Sequence, residues 1–310
     1  MATGTVAAPR RSVLDASRTV TVPLMPARPK PARESRLGSY AVVAPLARGG
    51  TSGVYLAEHV VTGERVALKI IDPFYAEHLE VVERMLAERD ISARVTHPNL
   101  LAIHLADHSA GGVPYLVMEY LDGENLGALA DRGLMAAAAV IAIGAQTANA
   151  LAALHAAGVV HCDVKPDNIF LLYQCDEIFV KVIDYGVART IDEQRTADGT
   201  IAGTPAYMAP EQWRGAPSAK SDVYALACML YELLVGDQPF HGTLPQLMVA
   251  HHDRRPDRIS AHRRDITPAL DNLIARGLAK DPSLRPTMAD FAAALAEIAA
   301  GDFEQLAATG

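Results

Sequence analysis

The residues of this 310-residue chain best suited to chemistry fall in two short stretches. His161-Cys162-Asp163-Val164-Lys165-Pro166-Asp167-Asn168 brings a carboxylate, a lysine and an amide close together, and Asp184-Tyr185-Gly186 adds a second carboxylate. Such a set supplies positioning and charge neutralisation, the means of handling an anionic reactant. The apolar runs Ile169–Leu172 and Phe179–Ile183 lie between them and read as the strands of a hairpin that carries both stretches.

Upstream, Tyr40–Leu46 and Val54–His59 read as strands around a glycine-rich tip, Ala47-Arg48-Gly49-Gly50-Thr51-Ser52-Gly53. Such a tip lets backbone N–H groups approach phosphate, because no Cβ intervenes. Glu64–Ile71 follows as a third strand, and Leu79, Val82, Leu86 and Ile91 space a helix over 77–95. Leu101–Ala106 and Pro114–Met118 read as two more strands. Beyond Gly123 the pattern turns helical. It predicts a short helix at Leu126–Arg132, a long apolar one at Ala137–Ala157, another opening at Ser221 and a last one at Met288–Ala299.

Taken together, the motifs resemble those of protein kinases. The run Gly203-Thr204-Pro205-Ala206-Tyr207-Met208-Ala209-Pro210-Glu211 is most similar to bacterial, eukaryotic-like serine/threonine kinases. His161–Asn168 follows H-R-D-x-K-x-x-N, Asp184-Tyr185-Gly186 follows D-F-G, and Val66-Ala67-Leu68-Lys69 follows the V-A-I-K strand. The likeness covers roughly residues 38–299 and implies an α+β, two-lobed fold. A small β-sheet lobe with one helix would span 38–118, a hinge 119–123, and a larger, mostly helical lobe 124–299.

The resemblance further implies ATP as phosphoryl donor, held by Leu46, Ala47, Gly49, Gly50, Ser52, Val54, Ala67, Lys69, Met118, Glu119, Leu121 and Phe170. Glu88, set in register by His97-Pro98-Asn99 against the competitors Glu80 and Glu83, would pair with Lys69. Asn168 and Asp184 would hold Mg2+ or Mn2+, Asp163 would take the acceptor proton, and Lys165 would reach the γ-phosphate. Lys165 and Gly203-Thr204 point to serine or threonine acceptors on protein substrates. The activation segment holds Thr196, Thr200 and Thr204; Thr200 is the autophosphorylation candidate, which a homodimer would serve, while Thr204 belongs at the cleft. Glu211, Asp222 and Arg285 take structural positions.

Three motifs depart from the family pattern. With Val54 as the valine of G-x-G-x-x-G-x-V, the glycine positions read Ala47, Gly49 and Ser52, which predicts weaker nucleotide affinity. Cys162 replaces the arginine that, in kinases having it, pairs with a phosphate on the activation segment, so gating by that phosphate is not expected. Tyr185 stands where phenylalanine is usual. The first two departures support an alternative, a pseudokinase acting as a nucleotide-binding scaffold. Retention of Lys69, Glu88, Asp163, Lys165, Asn168 and Asp184 favours the enzyme. The absence of G-x-x-x-x-G-K-[ST] removes a P-loop NTPase.

Composition narrows the rest. A formal charge of −8 argues against nucleic acid as a partner. Cys162, Cys175 and Cys228 lack C-x-x-C spacing and fit a reducing compartment. No secretory leader is visible, and the apolar run Leu134–Ala145 is short of the roughly 20 residues a bilayer requires. A cytoplasmic protein without a transmembrane segment is the expectation. Residues 1–37 are Pro-rich with seven basic residues against two acidic ones and read as a disordered basic tail, and 300–310 read as a short C-terminal tail.

Overall fold

Alternation in Val66-Ala67-Leu68-Lys69-Ile70-Ile71 divides one strand between two apolar clusters, and the upper lobe is built around that division. The computed structural model describes residues 36–174, 177–184, 188–190 and 203–309. Residues 1–35 of the basic tail, Cys175, Tyr185, Gly186, Thr196 and Thr200 lie outside these described residues.

Six antiparallel strands form the upper sheet: β1 (Arg36–Leu37), β2 (Tyr40–Arg48), β3 (Ser52–His59), β4 (Arg65–Ile71), β5 (Ile103–His108) and β6 (Pro114–Glu119). Their order is β1-β2-β3-β4-β6-β5. The last two residues assigned to the tail, Arg36 and Leu37, therefore pair with β2. Val66 and Leu68 pack with Ala57, Tyr115 and Val117 on the outer face. Ala67 and Ile71 on the inner face join Leu116 and Met118 in the main core, together with Met85 and Ile91 of α1 (Leu79–Arg94). α1 starts two residues later than its spacing suggests, because Asp72 caps a separate turn at Pro73–Tyr75.

Strand β5 is displaced by two residues from the predicted Leu101–Ala106. The cause is long-range: Leu101 N–H donates to the Val182 carbonyl at 3.0 Å, and Val182 N–H donates to the Asn99 carbonyl at 2.8 Å. Residues 99–101 thus serve the lower lobe before the strand begins. Tyr120, Leu121 and Asp122 carry the chain from the upper sheet to the lower lobe, between the end of β6 at Glu119 and the start of β7 (Gly123–Asn125).

Below, β7, β9 (Ile169–Gln174) and β10 (Glu177–Val182) make a small sheet, and β8 (Val159–Val160) pairs with β11 (Arg189–Thr190). The helices are α2 (Leu126–Ala130), α3 (Ala137–Ala156), α4 (Ala219–Val235), α5 (Leu244–Asp253), α6 (Ile259–His262), α7 (Pro268–Gly277) and α8 (Met288–Thr309). α3 is apolar and long enough by composition to cross a membrane, yet Val140, Ile143, Leu151 and Leu154 are buried in the lower core. A Cβ at Gly144 would stand 2.9 Å from Leu230 and 3.2 Å from Leu295, so glycine lets α3 approach α4 and α8 closely. α8 runs on to Thr309, past the end at Ala299 expected from the sequence and into the segment read as the C-terminal tail. Gly301 costs only about 1 kcal/mol there, and good helix formers follow it.

Candidate active site

Register across the upper sheet gathers the expected nucleotide residues. Lys69 lies opposite Val54 and Leu116, Val54 opposite Ala47, and Ala67 opposite Met118 and Leu56. Leu46, Gly49 and Gly50 are exposed at the hairpin tip, where Gly49 N–H donates to the Ser52 carbonyl at 2.8 Å. Phe170, half-buried on β9, alternates with the buried Ile169 and Leu171. The side chain of Glu119 serves the fold: one oxygen accepts from Ala102 N–H and from Lys181 Nζ, both at 2.7 Å. Leu121 sits in the three-residue connection, so any purine contact there would use main-chain groups.

Lys69 Nζ donates to both oxygens of Glu88 at 2.7 Å and stands 3.6 Å from Asp184 Oδ1. Burial works against the ammonium, but the carboxylates of Glu88 and Asp184 outweigh it and hold the lysine pKa above its ordinary value. Lys69 therefore stays a cation, extended into the cleft.

The catalytic-loop candidates are fixed from beneath by α4. Asp222 is fully buried; its Oδ2 accepts His161 N–H at 2.8 Å and lies 2.7 Å from His155 Nε2, and its Oδ1 accepts Cys162 N–H at 2.9 Å. Burial alone would raise its pKa, but His155 and His161 prevail and keep the carboxylate below its usual range. Asn168 Nδ2 donates to the Asp163 carbonyl at 2.8 Å and to Asp163 Oδ2 at 3.2 Å. Lys165 Nζ is 2.9 Å from Asp163 Oδ2 and donates to Thr204 Oγ1 at 2.7 Å, while the Thr204 hydroxyl donates to Asp163 Oδ1 at 2.7 Å. Ile183 N–H donates to the Asn168 carbonyl at 2.9 Å, which brings Asp184, at a left-handed φ of 67°, beside the loop.

The donor chemistry here fits a hard divalent cation. Asn168 turns its Nδ2 toward Asp163, and its Oδ1 has no hydrogen-bond partner among the described residues. An amide oxygen and one carboxylate suit Mg2+ or Mn2+, which keep other positions for water and phosphate. Among the described residues no group of three His, Cys, Asp or Glu side chains forms a closed metal cage.

Glu211, Asp222 and Arg285 occupy buried positions behind the cleft. Arg285 Nη1 and Nη2 donate to the two Glu211 oxygens at 2.6 and 3.0 Å, and Ser221 Oγ donates to Glu211 Oε1 at 2.6 Å. Three supporting residues escaped the sequence reading. His155 and Gln146 were visible as polar residues inside an apolar helix; Gln146 Oε1 accepts from Val180 N–H at 2.9 Å and so steadies β10. Gln212, whose Nε2 donates to the Cys162 carbonyl at 2.8 Å, left no sequence sign.

Known proteins share this architecture. The protein kinase domain family matches residues 40–295. Serine/threonine-protein kinase Pkn1 of Myxococcus xanthus is 42% identical over 255 residues, covering 81% of this chain and 36% of that protein. Serine/threonine-protein kinase PknD of Mycobacterium tuberculosis is 39% identical over 257 residues, covering 81% of this chain and 38% of that protein. The crystal structure of the Mycobacterium tuberculosis PknI kinase domain aligns with a TM-score of 0.66 at 29% identity, over 86% of this chain and 99% of that one. The chain spans less than half the length of these two curated relatives.

Proposed function

The chain belongs to the protein kinase family, and from that premise we propose that it transfers the γ-phosphate of ATP to a serine or threonine hydroxyl of a protein. One observation carries the reading: a threonine hydroxyl, that of Thr204, is held between Asp163 and Lys165 at 2.7 Å from each. A hydroxyl of the acceptor type is thus accommodated where a base and a cation converge.

In the reaction, the acceptor oxygen forms a bond to the γ-phosphorus while the bond to the bridging oxygen of ADP breaks. Asp163 orients the hydroxyl and receives its proton. Lys165 neutralises charge on the transferred group, and Lys69, braced by Glu88, does so further back along the phosphates. When bound at Asn168 and Asp184, Mg2+ or Mn2+ would offset the charge of the triphosphate oxygens.

Gating is part of the same proposal. The Cys162 thiol is 4% exposed with its Sγ 3.7 Å from the Val160 carbonyl, and a thiol offers no cation to a phosphate. Activity therefore does not depend on a phosphorylated activation segment docking at residue 162. The pseudokinase reading draws on Ala47 and Ser52 at the hairpin tip. Radiolabelled phosphate transfer from ATP to a generic basic protein decides between them. Transfer by the wild type that is lost in Asp163→Asn supports the enzyme; nucleotide binding with no transfer by either supports the scaffold.

A further inference from the structure

Cys162, the residue before Asp163, has a φ of 66°, a left-handed backbone that an L side chain other than Asn or Asp rarely adopts. Such a conformation persists only where the surroundings hold it. Here two buried side chains hold it from opposite sides. Its N–H donates to Asp222 Oδ1 at 2.9 Å, and its carbonyl accepts from Gln212 Nε2 at 2.8 Å. Gln212 is 4% exposed and is itself oriented by Ala209 N–H, which donates to Oε1 at 3.2 Å. Gly203 makes room for the contact: a Cβ there would lie 2.8 Å from the Cys162 carbonyl oxygen and 3.2 Å from Gln212 Nε2.

We propose that Gln212 is a positioning residue for phosphoryl transfer. By gripping the carbonyl between Cys162 and Asp163, it fixes the peptide plane from which the Asp163 side chain springs. It also ties that plane to the chain segment carrying Thr204, so base and acceptor shelf share one reference point. Asp222 fixes one end of the strained residue and Gln212 the other. The inference rests on the kinase reading, because its purpose is the aim of Asp163 at an acceptor hydroxyl.

The test pairs Gln212→Met, which keeps length and burial but removes the donor, with Cys162→Gly, which removes the conformational bias against positive φ. We expect Gln212→Met to lower kcat about tenfold while KM for ATP stays within about twofold, because the nucleotide contacts are untouched. In the Cys162→Gly background the same substitution should lower kcat less than about threefold, since glycine no longer has to be forced into place. A Gln212→Met enzyme within twofold of wild type in kcat overturns the proposal, as does a loss of equal size in both backgrounds. Hydrogen exchange over residues 160–164 gives a readout independent of turnover: Gln212→Met should speed it, and unchanged exchange overturns the clamp. If the wild type transfers no phosphate, the kinase reading fails, and exchange alone then decides the clamp.

Discussion

The Thr204 hydroxyl and the Asp163 carboxylate are hydrogen-bonded at 2.7 Å, with Lys165 Nζ another 2.7 Å from the same threonine oxygen. The contact joins two charged groups through one small side chain. Hydrogen bonds to charged groups contribute roughly 1.5–3 kcal/mol each. Thr204→Ala should therefore lower kcat by about 10- to 100-fold, whereas Thr204→Ser should stay within a few-fold of wild type. Thr200→Ala should leave turnover within about twofold, as a dispensable phosphorylation position would. Steady-state kinetics of the three variants checks the set, and equal losses at 200 and 204 would contradict it.

Lys69→Met should reduce transfer by at least about 100-fold while circular dichroism remains that of the wild type. The substitution leaves Glu88, 4% exposed, without its lysine. A buried carboxylate in that position sheds its charge by taking up a proton. The loss in melting temperature should accordingly be greater at pH 8 than at pH 5.5. Equal losses at both pH values would show that Glu88 finds another cation.

Arg285 and Glu211 are a structural pair, so their loss should appear in folding before chemistry. The Arg285 side chain has no exposure and makes a two-pronged contact at 2.6 and 3.0 Å. Breaking such a buried pair costs about 3–5 kcal/mol. Arg285→Met should lower the unfolding free energy by that amount, seen as a lower urea midpoint at an unchanged m-value. Arg285→Lys should recover only part of it, because an ammonium cannot reproduce the fork.

The packed His251 sets a pH limit. It is fully buried, with its Nδ1 2.9 Å from the Tyr224 hydroxyl. Burial, reinforced by the nearby Lys280 charge, pushes its pKa down from 6.5 to about 3. Between those values the unfolded chain binds a proton that the folded chain does not, so stability is present above pH 6.5 and is lost as pH falls toward 3. The slope should approach about 1.4 kcal/mol per pH unit. His251→Gln should flatten it, as denaturant titrations between pH 4 and 7 would reveal.

Strand β4 could be read almost residue by residue, because a period of two is a local property and both of its faces are packed. The spacing from Lys69 through Glu88 to His97-Pro98-Asn99 likewise identified which glutamate the lysine meets. Strand β5 was misplaced because Asn99 and Leu101 are bound to Val182, more than eighty residues away, and no local pattern records that choice. α8 extends past its expected end at Ala299 because a single glycine, Gly301, costs only about 1 kcal/mol in a helix. Gln212 was missed for a similar reason. A polar residue in a polar loop looks solvated until its distant carbonyl partner is known.

Lys181 joins Glu119 at 2.7 Å and reaches the Leu100 carbonyl at 3.3 Å, three residues before Asp184. That brace turns the stretch from the interlobe connection to Asp184 into a fixed ruler. A ligand lying along it is measured by length: its ring end and its anionic end must be a set distance apart before both can be engaged.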